Sequence, residues 1–265
     1  MQTISCSPEA SRKLAIADAF SRAAHKYDAH AQFQRDVGHQ LIELMPEQLD
    51  GLKVLDIGCG TGYFSELLAN KGAIVTSADL SEKMLQQAKE RCSEKVSVYQ
   101  IADAEALPFD DNSFDMVFSS LALQWCRDLS VPLKELQRVT KQGGAVYFST
   151  LADGSLHELK QAWAKIDSYQ HVNNFLTINQ IKVALAQSES YDHQLDLRSI
   201  RLWYSSAFQL MRDLKGIGAT HVGERSQGLT KKSILERVET EYQRFKNSDN
   251  LLPASYQVCL GKINL

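Results

Sequence analysis

The chain has 265 residues, of which 44% are hydrophobic and 23% are charged, a balance typical of a folded globular protein. Its 29 basic and 32 acidic residues give a net charge of −3, which argues against a protein that binds bulk nucleic acid. No apolar run reaches the roughly 18 residues that a membrane helix needs, and residues 1–13 lack the apolar core of a secretory signal.

The cysteines and histidines are widely scattered. The five cysteines include no Cys-x-x-Cys pair, and no two of the seven histidines are four residues apart. These spacings predict neither a disulfide framework nor a zinc site. We therefore expect free thiols in a reducing cytoplasm, and a reaction that uses no metal.

The first 50 residues have the spacing of amphipathic helices, with Ile16, Phe20 and Tyr27 on one predicted stripe. Short strands then alternate with helices as far as residue 150. The strands are predicted at residues 54–57, 73–78, 96–101, 114–119 and 145–150. This alternation predicts a doubly wound α/β fold with a mostly parallel, Rossmann-like sheet and right-handed crossovers.

The helices of this core carry start and stop signals. Ser81 is a predicted N-cap, and a later helix begins at Ser130. That later helix has Lys141 in its predicted last turn and Gly143 and Gly144 beyond it.

The rest of the chain is predicted to decorate the core. Residues 153–192 form a helical insertion, and residues 193–265 add strands near 195–204 and 256–263 with two helices, one through Met211 and one over 231–246. No segment has the composition of a linker. We therefore favour one domain over two, with a cap at 1–50, a core at 51–152, the insertion, and a substrate-side tail at 193–265.

A glycine-rich loop, DIGCGTG at residues 56–62, joins the first core strand to a helix. Glycines let the backbone turn sharply and approach a ligand, and the free N–H groups of the helix point at that ligand. The spacing departs from a dinucleotide fingerprint because Tyr63 occupies the place of the third glycine. A nicotinamide oxidoreductase is therefore disfavoured. Cys59, within the loop, is interpreted as a packing residue rather than a nucleophile.

Acidic residues follow three successive strands. Asp56 opens the glycine loop, Asp79 ends the second strand and Asp103 follows the third. A carboxylate at the position of Asp79 can accept hydrogen bonds from both hydroxyls of a ribose. We expect no Lys or Arg near these acids, and the pattern therefore favours a cationic ligand without phosphate.

Together these features resemble the class I S-adenosylmethionine-dependent methyltransferases over about residues 50–150. The resemblance implies that Asp79 binds the ribose and Asp103 the adenine amino group. It implies that the methionine portion is held by Asp56, Gly58, Gly60 and Gly62, with further cofactor contacts from Leu80, Met84, Ala104 and Ser119. Taken singly, a glycine turn can be only a turn, and an acid at a strand end only a helix cap.

The flanking segments carry a more specific resemblance. They include AFSRAAHKY at 19–27, QWC at 124–126, GSLHEL at 154–159, NFL at 174–176 and LKGIGATH at 214–221. These resemble the malonyl-acyl-carrier-protein O-methyltransferases of biotin synthesis, across nearly the whole chain. The family is cytoplasmic, and it esterifies the free carboxylate of a malonyl group held as a thioester on acyl carrier protein. Such a carboxylate, with a pKa of about 4, is already the nucleophile at neutral pH, so no base or metal is required.

Candidate substrate residues follow from this resemblance. Tyr27 is the first choice for a cap residue that faces the methyl group, although it can equally be a packed member of the stripe with Phe20. Gln124 either orients the acceptor or caps a helix. Thr220 and His221 either bind the thioester end or terminate a buried turn.

A basic segment is a candidate dock for the acidic carrier protein. Residues 199–232 carry six bases against two acids, within a chain of net charge −3. The bases are Arg201, Arg212, Lys215, Arg225, Lys231 and Lys232. We expect this segment to steer the carrier, while a solvated surface with incidental charge is the alternative. No nucleic-acid or membrane partner is expected.

Two rival functions remain open from the sequence. One is a small-molecule methyltransferase that acts on carbon or nitrogen, although carbon methylation usually needs a base and none stands out. The other is a protein that binds S-adenosylmethionine without turnover.

Overall fold

The computed structural model describes residues 7–219 and 231–265, and its centre is one seven-stranded sheet. The strands are β1 (Lys53–Ile57), β2 (Ile74–Asp79), β3 (Val98–Ile101), β4 (Phe114–Ser120), β5 (Thr140–Ala152), β6 (His193–Tyr204) and β7 (Leu252–Asn264). They lie in the order β3-β2-β1-β4-β5-β7-β6. Strands β1 to β5 run parallel, and β7 pairs antiparallel with both β5 and β6. The predicted doubly wound α/β fold is confirmed.

Helices cover both faces of the sheet. They are α1 (Pro8–Ala23), α2 (Tyr27–His30), α3 (Gln32–Ile42), α4 (Tyr63–Asn70), α5 (Glu82–Cys92), α6 (Ser130–Val139), α7 (His157–Trp163), α8 (Ile178–Gln187), α9 (Ala207–Gly216) and α10 (Lys232–Tyr242). Because side chains alternate along a strand, Val54 joins the apolar cluster on one face, while Leu55 joins the cluster on the other. Among the helices in these two ranges, none is long and apolar enough to cross a membrane.

The end of α6 differs from the prediction. The helix stops at Val139, and Lys141 and Gly143 lie inside β5 instead of in a last turn and a loop. Thr140 already pairs with Phe114 of β4, and the Gly143 N–H donates to the carbonyl of Leu265, at 2.7 Å. Strand pairing on both sides therefore outweighs the glycines as a stop signal.

The cap and the insertion are less regular than predicted. A 3₁₀ turn at Ala24–Lys26 separates α1 from α2, yet Ile16, Phe20 and Tyr27 still face the same side. Residues 43–50 are not helical, and residues 164–177 separate α7 from α8 without a helix of their own. The division of the chain into a single domain with a cap stays a prediction.

Candidate active site

A cavity of about 770 Å³ lies at the carboxyl ends of the parallel strands, beneath α1. This is where ligands of doubly wound folds bind. Its lining includes the predicted cofactor residues Gly58, Gly60, Asp79, Leu80, Met84, Asp103 and Ala104.

The glycines of the loop differ in what surrounds them. All three have positive φ, and a Cβ added at Gly60 would meet no atom within 4 Å, so the backbone there is open to a ligand. A Cβ at Gly62 would lie 2.8 Å from the Cβ of Ala88 and 3.0 Å from the Sγ of Cys92. Gly62 therefore lets α4 pack against α5 and does not line the cavity. Cys59 packs against Leu85 and Ala88, and burial raises the pKa of its thiol.

Asp79 is held by the backbone on both oxygens. The Gly60 N–H donates to its Oδ2 at 2.9 Å, and the Ser81 N–H donates to its Oδ1 at 2.8 Å. Burial raises the pKa of Asp79, and these backbone hydrogen bonds oppose that shift. Each carboxylate oxygen keeps a further lone pair for a donor in the cavity.

Asp56 lies behind the loop, away from the cavity lining. It is 2% exposed, and its Oδ2 accepts a 2.6 Å hydrogen bond from the Ser65 hydroxyl. Burial raises the pKa of Asp56 from 3.8 to about 7. The folded protein therefore retains a proton between pH 4 and pH 7 that the unfolded chain has already released, and the corresponding stability is lost as the pH rises through this window.

Asp56→Asn should make the free energy of unfolding less dependent on pH. In the unmodified protein, Asp56 should lower the free energy of unfolding by roughly 2 to 3 kcal/mol between pH 5 and pH 8, at about 1.4 kcal/mol per pKa unit. The variant should lack this part of the decrease. Urea unfolding of the ligand-free protein at the two pH values measures this fall, with the exposed Asp110→Asn as the matched control. Equal pH dependence in Asp56→Asn and the unmodified protein would contradict this interpretation.

A lysine approaches the acids of this site in space. Lys13 of α1 forms ion pairs of 2.6 Å with both Asp103 and Glu105, and these contacts raise the pKa of its ammonium against the effect of burial. The expectation that no basic group is near the three acids is therefore wrong, because a residue 90 positions away in the chain folds over them. One oxygen of Asp103 still faces the cavity rim, where it accepts from the Glu105 N–H at 2.9 Å.

The cap is fastened across the cofactor cavity at several points. The Thr61 hydroxyl of the glycine loop donates to Asp28 of α2 at 2.7 Å, and Arg91 of α5 pairs with the other oxygen of that carboxylate. Arg12 of α1 donates to the carbonyl of Trp125 at 2.8 Å. These contacts hold α1 and α2 over the cavity.

A second cavity, of about 710 Å³, lies on the other side of a short shared wall. Phe20, Tyr27, Leu121 and Trp125 line both cavities. The rings of Phe20 and Trp125 meet edge to face at 5.3 Å. Leu121 has a φ of 51° and is held there by its N–H, which donates to the Ser149 hydroxyl at 2.9 Å. The two cavities therefore meet at an aromatic wall.

Tyr27 is the polar member of this wall. Within residues 7–219 and 231–265 its hydroxyl makes no hydrogen bond. Burial, Asp79 and Asp28 raise the pKa of Tyr27, so at neutral pH the phenol is protonated and can donate. Its position between the cavities suits a group that contacts an acceptor beside the cofactor.

Two glutamines that line the second cavity have unsatisfied buried oxygens. The Oε1 atoms of Gln34 and Gln124 are buried and have no hydrogen-bond partner in the described part of the chain. Gln124 Nε2 donates to the Leu121 carbonyl at 2.6 Å, which fixes the orientation of the amide. Gln124 is thus a local cap that also lines the cavity, with a buried oxygen that has no partner among the described residues.

The remaining predicted residues lie elsewhere. Ser119 is fully buried and donates to the Ile57 carbonyl at 3.0 Å, whereas its neighbour Ser120 lines the cofactor cavity. Arg212 and Lys215 are exposed on α9. Thr220 and His221 lie outside the described residues, as does Arg225.

Sequence reasoning missed Lys13, Leu121 and Trp125 as parts of the site. Trp125 stood within the QWC motif, which could have found it. Leu121 directly follows β4, so the rule that parallel strands end at the ligand edge of the sheet could have found it. Lys13 carries no local signal, since only tertiary folding brings α1 to the cavity.

Comparison with known proteins agrees with this geometry. Residues 55–148 match the family model described as a methyltransferase domain. The YcgJ protein from Bacillus subtilis has a TM-score of 0.63 at 19% identity, with 87% of this chain and 98% of that one covered. A phosphoethanolamine N-methyltransferase from Haemonchus contortus, solved with S-adenosylhomocysteine, has a TM-score of 0.54 at 20% identity and covers 87% of this chain and 52% of its own. These likenesses show the class I methyltransferase fold.

A closer relative comes from curated sequences. The malonyl-acyl-carrier-protein O-methyltransferase from Serratia marcescens is 44% identical over 252 residues, which are 95% of each chain. This similarity extends through the cap, the insertion and the tail, well beyond the cofactor-binding core. The chain therefore belongs to the family of malonyl-acyl-carrier-protein O-methyltransferases.

Proposed function

We propose that this protein transfers a methyl group from S-adenosylmethionine to the free carboxylate of a malonyl thioester carried on acyl carrier protein, an early step of biotin synthesis. The observation that carries the proposal is the meeting of two cavities at Tyr27, with acidic and glycine residues on one side and apolar side chains and amides on the other. A methyl donor and its acceptor must touch at one point, and the shared wall provides it.

The first cavity fits the cofactor. Asp79 offers carboxylate lone pairs to the ribose hydroxyls, and Leu80, Met84 and Ala102 form an apolar bed for the adenine. The open backbone at Gly60 leaves room for the methionine portion. When bound, S-adenosylmethionine supplies a methyl group on a positively charged sulfur.

The residues of the chain position the acceptor and exclude water. A malonyl carboxylate is anionic at neutral pH, since its pKa is about 4, and it needs no base to become a nucleophile. The Tyr27 phenol donates to one carboxylate oxygen and leaves the other free to form the new bond. Phe20 and Trp125 keep the contact dry, and this favours a reaction in which opposite charges neutralise each other.

The proposal also assigns a dock for the carrier protein. Arg212 and Lys215 are exposed on α9, whereas Leu214 and Ile217 of the same segment line the acceptor cavity. An acidic carrier bound to the exposed side of α9 would deliver its cargo beside that cavity. We place this reaction in the cytoplasm, as the family resemblance implies.

Reversal of both charges tests the dock. The double variant Arg212→Glu, Lys215→Glu should raise the KM for malonyl carrier protein about tenfold through lost steering and like-charge repulsion. The double variant Lys134→Glu, Lys182→Glu makes the same charge change at exposed positions of α6 and α8. Equal KM values for the two double variants would refute the dock.

The reaction itself is tested by mass spectrometry of the carrier. Incubation with S-adenosylmethionine should add the mass of one CH₂ group to malonyl carrier protein and nothing to acetyl carrier protein, which lacks the free carboxylate. Methylation of a free metabolite instead would favour the small-molecule rival. Cofactor binding without any product would favour a protein that does not turn over.

A further inference from the structure

A groove outside the acceptor cavity is formed by the helical insertion. Its lining includes Lys160 and Trp163 of α7, and it shares His171 and Val172 with the acceptor cavity. The His171 ring stacks on Trp163 with centroids 3.6 Å apart and an interplanar angle of 11°. The Nε2 of His171 lies 2.8 Å from the Oδ1 of Asp167. His171, fixed by Trp163 and Asp167, thus lies between the two spaces.

Lys160 lines this groove. Within residues 7–219 and 231–265 its ammonium makes no hydrogen bond and no ion pair. Its Nζ lies 5.4 Å from the ring centroid of Phe175, which lines the acceptor cavity. Partial burial lowers the pKa of Lys160, and the charge of Asp153 opposes this shift. An anion bound at this position would restore the missing contacts.

At the acceptor cavity, two side chains lack hydrogen-bond donors within the described part of the chain. Gln34 and Gln124 line the acceptor cavity, and their buried carbonyl oxygens have no hydrogen-bond partner among the described residues. A malonyl group offers only acceptors at neutral pH, namely its carboxylate and its thioester carbonyl. A phosphopantetheine arm carries both missing features, because it has amide N–H groups along its length and a phosphate at its end.

We propose that the phosphopantetheine arm of the acceptor runs from the Gln34 and Gln124 oxygens across the His171–Trp163 stack to Lys160, which binds its phosphate. This proposal rests on the proposed function, since it assigns the path of that substrate. It makes α7 and residues 164–177 the binding site of the arm. The malonyl end then reaches Tyr27 from the insertion.

Lys160→Met tests the outer end. The probes are malonyl-phosphopantetheine and malonyl-pantetheine, which differ only in the phosphate. Loss of the ammonium should lower the ratio of their kcat/KM values about tenfold, because a charge-assisted contact is lost with the phosphorylated probe alone. Lys165→Met, at an exposed position of the same insertion, should keep the ratio of the unmodified protein. Affinity for S-adenosylmethionine reports whether each variant is folded.

Gln124→Met tests the inner end. The probes are the malonyl thioester of N-acetylcysteamine and its analogue with an ester oxygen in place of the amide N–H. The unmodified protein should prefer the amide several-fold, and the variant should lose that preference. Probes that turn over too slowly are compared as competitive inhibitors of the methylation of malonyl carrier protein.

The outcomes separate the two proposals. An unmodified protein that methylates neither malonyl carrier protein nor the malonyl thioesters contradicts the proposed function. If malonyl carrier protein is methylated but Lys160→Met keeps the unmodified ratio of kcat/KM for malonyl-phosphopantetheine and malonyl-pantetheine, only the path of the arm is overturned. An amide preference that survives in Gln124→Met overturns its inner end.

Discussion

Asp79→Ala should weaken the binding of S-adenosylmethionine about 10- to 100-fold, since lost hydrogen bonds to a charged group cost roughly 1.5 to 3 kcal/mol. The carboxylate is fixed by the Gly60 and Ser81 N–H groups, so it meets a ribose without reorganising. Alanine removes the acceptor and also leaves these two backbone donors unpaired. Isothermal calorimetry with the cofactor measures the loss directly.

Asp110→Ala is the matched control for this variant, because Asp110 is an exposed acid away from the cavity lining. Its dissociation constant should equal that of the unmodified protein. Asn at position 79 is not a mild substitution, since its amide group would turn a donor toward one of the two backbone N–H groups. An unchanged constant in Asp79→Ala would show that the ribose lies elsewhere.

Tyr27→Phe should lower kcat/KM for malonyl carrier protein about 10- to 100-fold, the loss expected for one hydrogen bond to an anion. The ring and its place in the shared wall are retained, so cofactor affinity should change far less. Tyr191→Phe, in which the tyrosine is 82% exposed, removes a hydroxyl from the surface as the control. Equal kcat/KM values in Tyr27→Phe and Tyr191→Phe would show that Tyr27 only packs in the wall.

The pH profile gives an independent check on Tyr27. Because burial and two acids raise the pKa of Tyr27, its phenol should stay protonated throughout mildly alkaline solution. The rate should therefore rise as the malonyl carboxylate ionises near about pH 4 and should show no fall from Tyr27 up to about pH 9. A loss of rate near pH 8 that is absent from Tyr27→Phe would contradict this assignment.

Much of the cofactor site could be predicted because its signals are local. Parallel strands end at one edge of a sheet, so Asp79, Asp103 and the glycine loop converge wherever such a sheet forms. Gly60 lies on the cavity for the same reason. The fold class followed from the alternation of strands and helices, and β5 and β7 extend furthest beyond their predicted bounds.

Other features depend on tertiary packing. Ser119 and Ser120 point to opposite faces of β4, so a shift of one residue decided which of them reaches the cavity. Asp56 belongs to the same motif as Gly58, yet its side chain turns inward to Ser65. Lys13 reaches Asp103 only because α1 folds back over the sheet. No pattern within the sequence encodes such long-range contacts.

The most direct measurement is a crystal structure of the complete chain with S-adenosylhomocysteine and a non-hydrolysable malonyl-phosphopantetheine analogue. We expect the sulfur and the malonyl carboxylate to lie on opposite sides of the wall formed by Phe20, Tyr27, Leu121 and Trp125. A carboxylate oxygen should lie roughly 3 to 3.5 Å from the place of the transferred methyl, beside the Tyr27 hydroxyl. A sulfur that faces away from Tyr27, or an acceptor bound outside this cavity, would contradict the account.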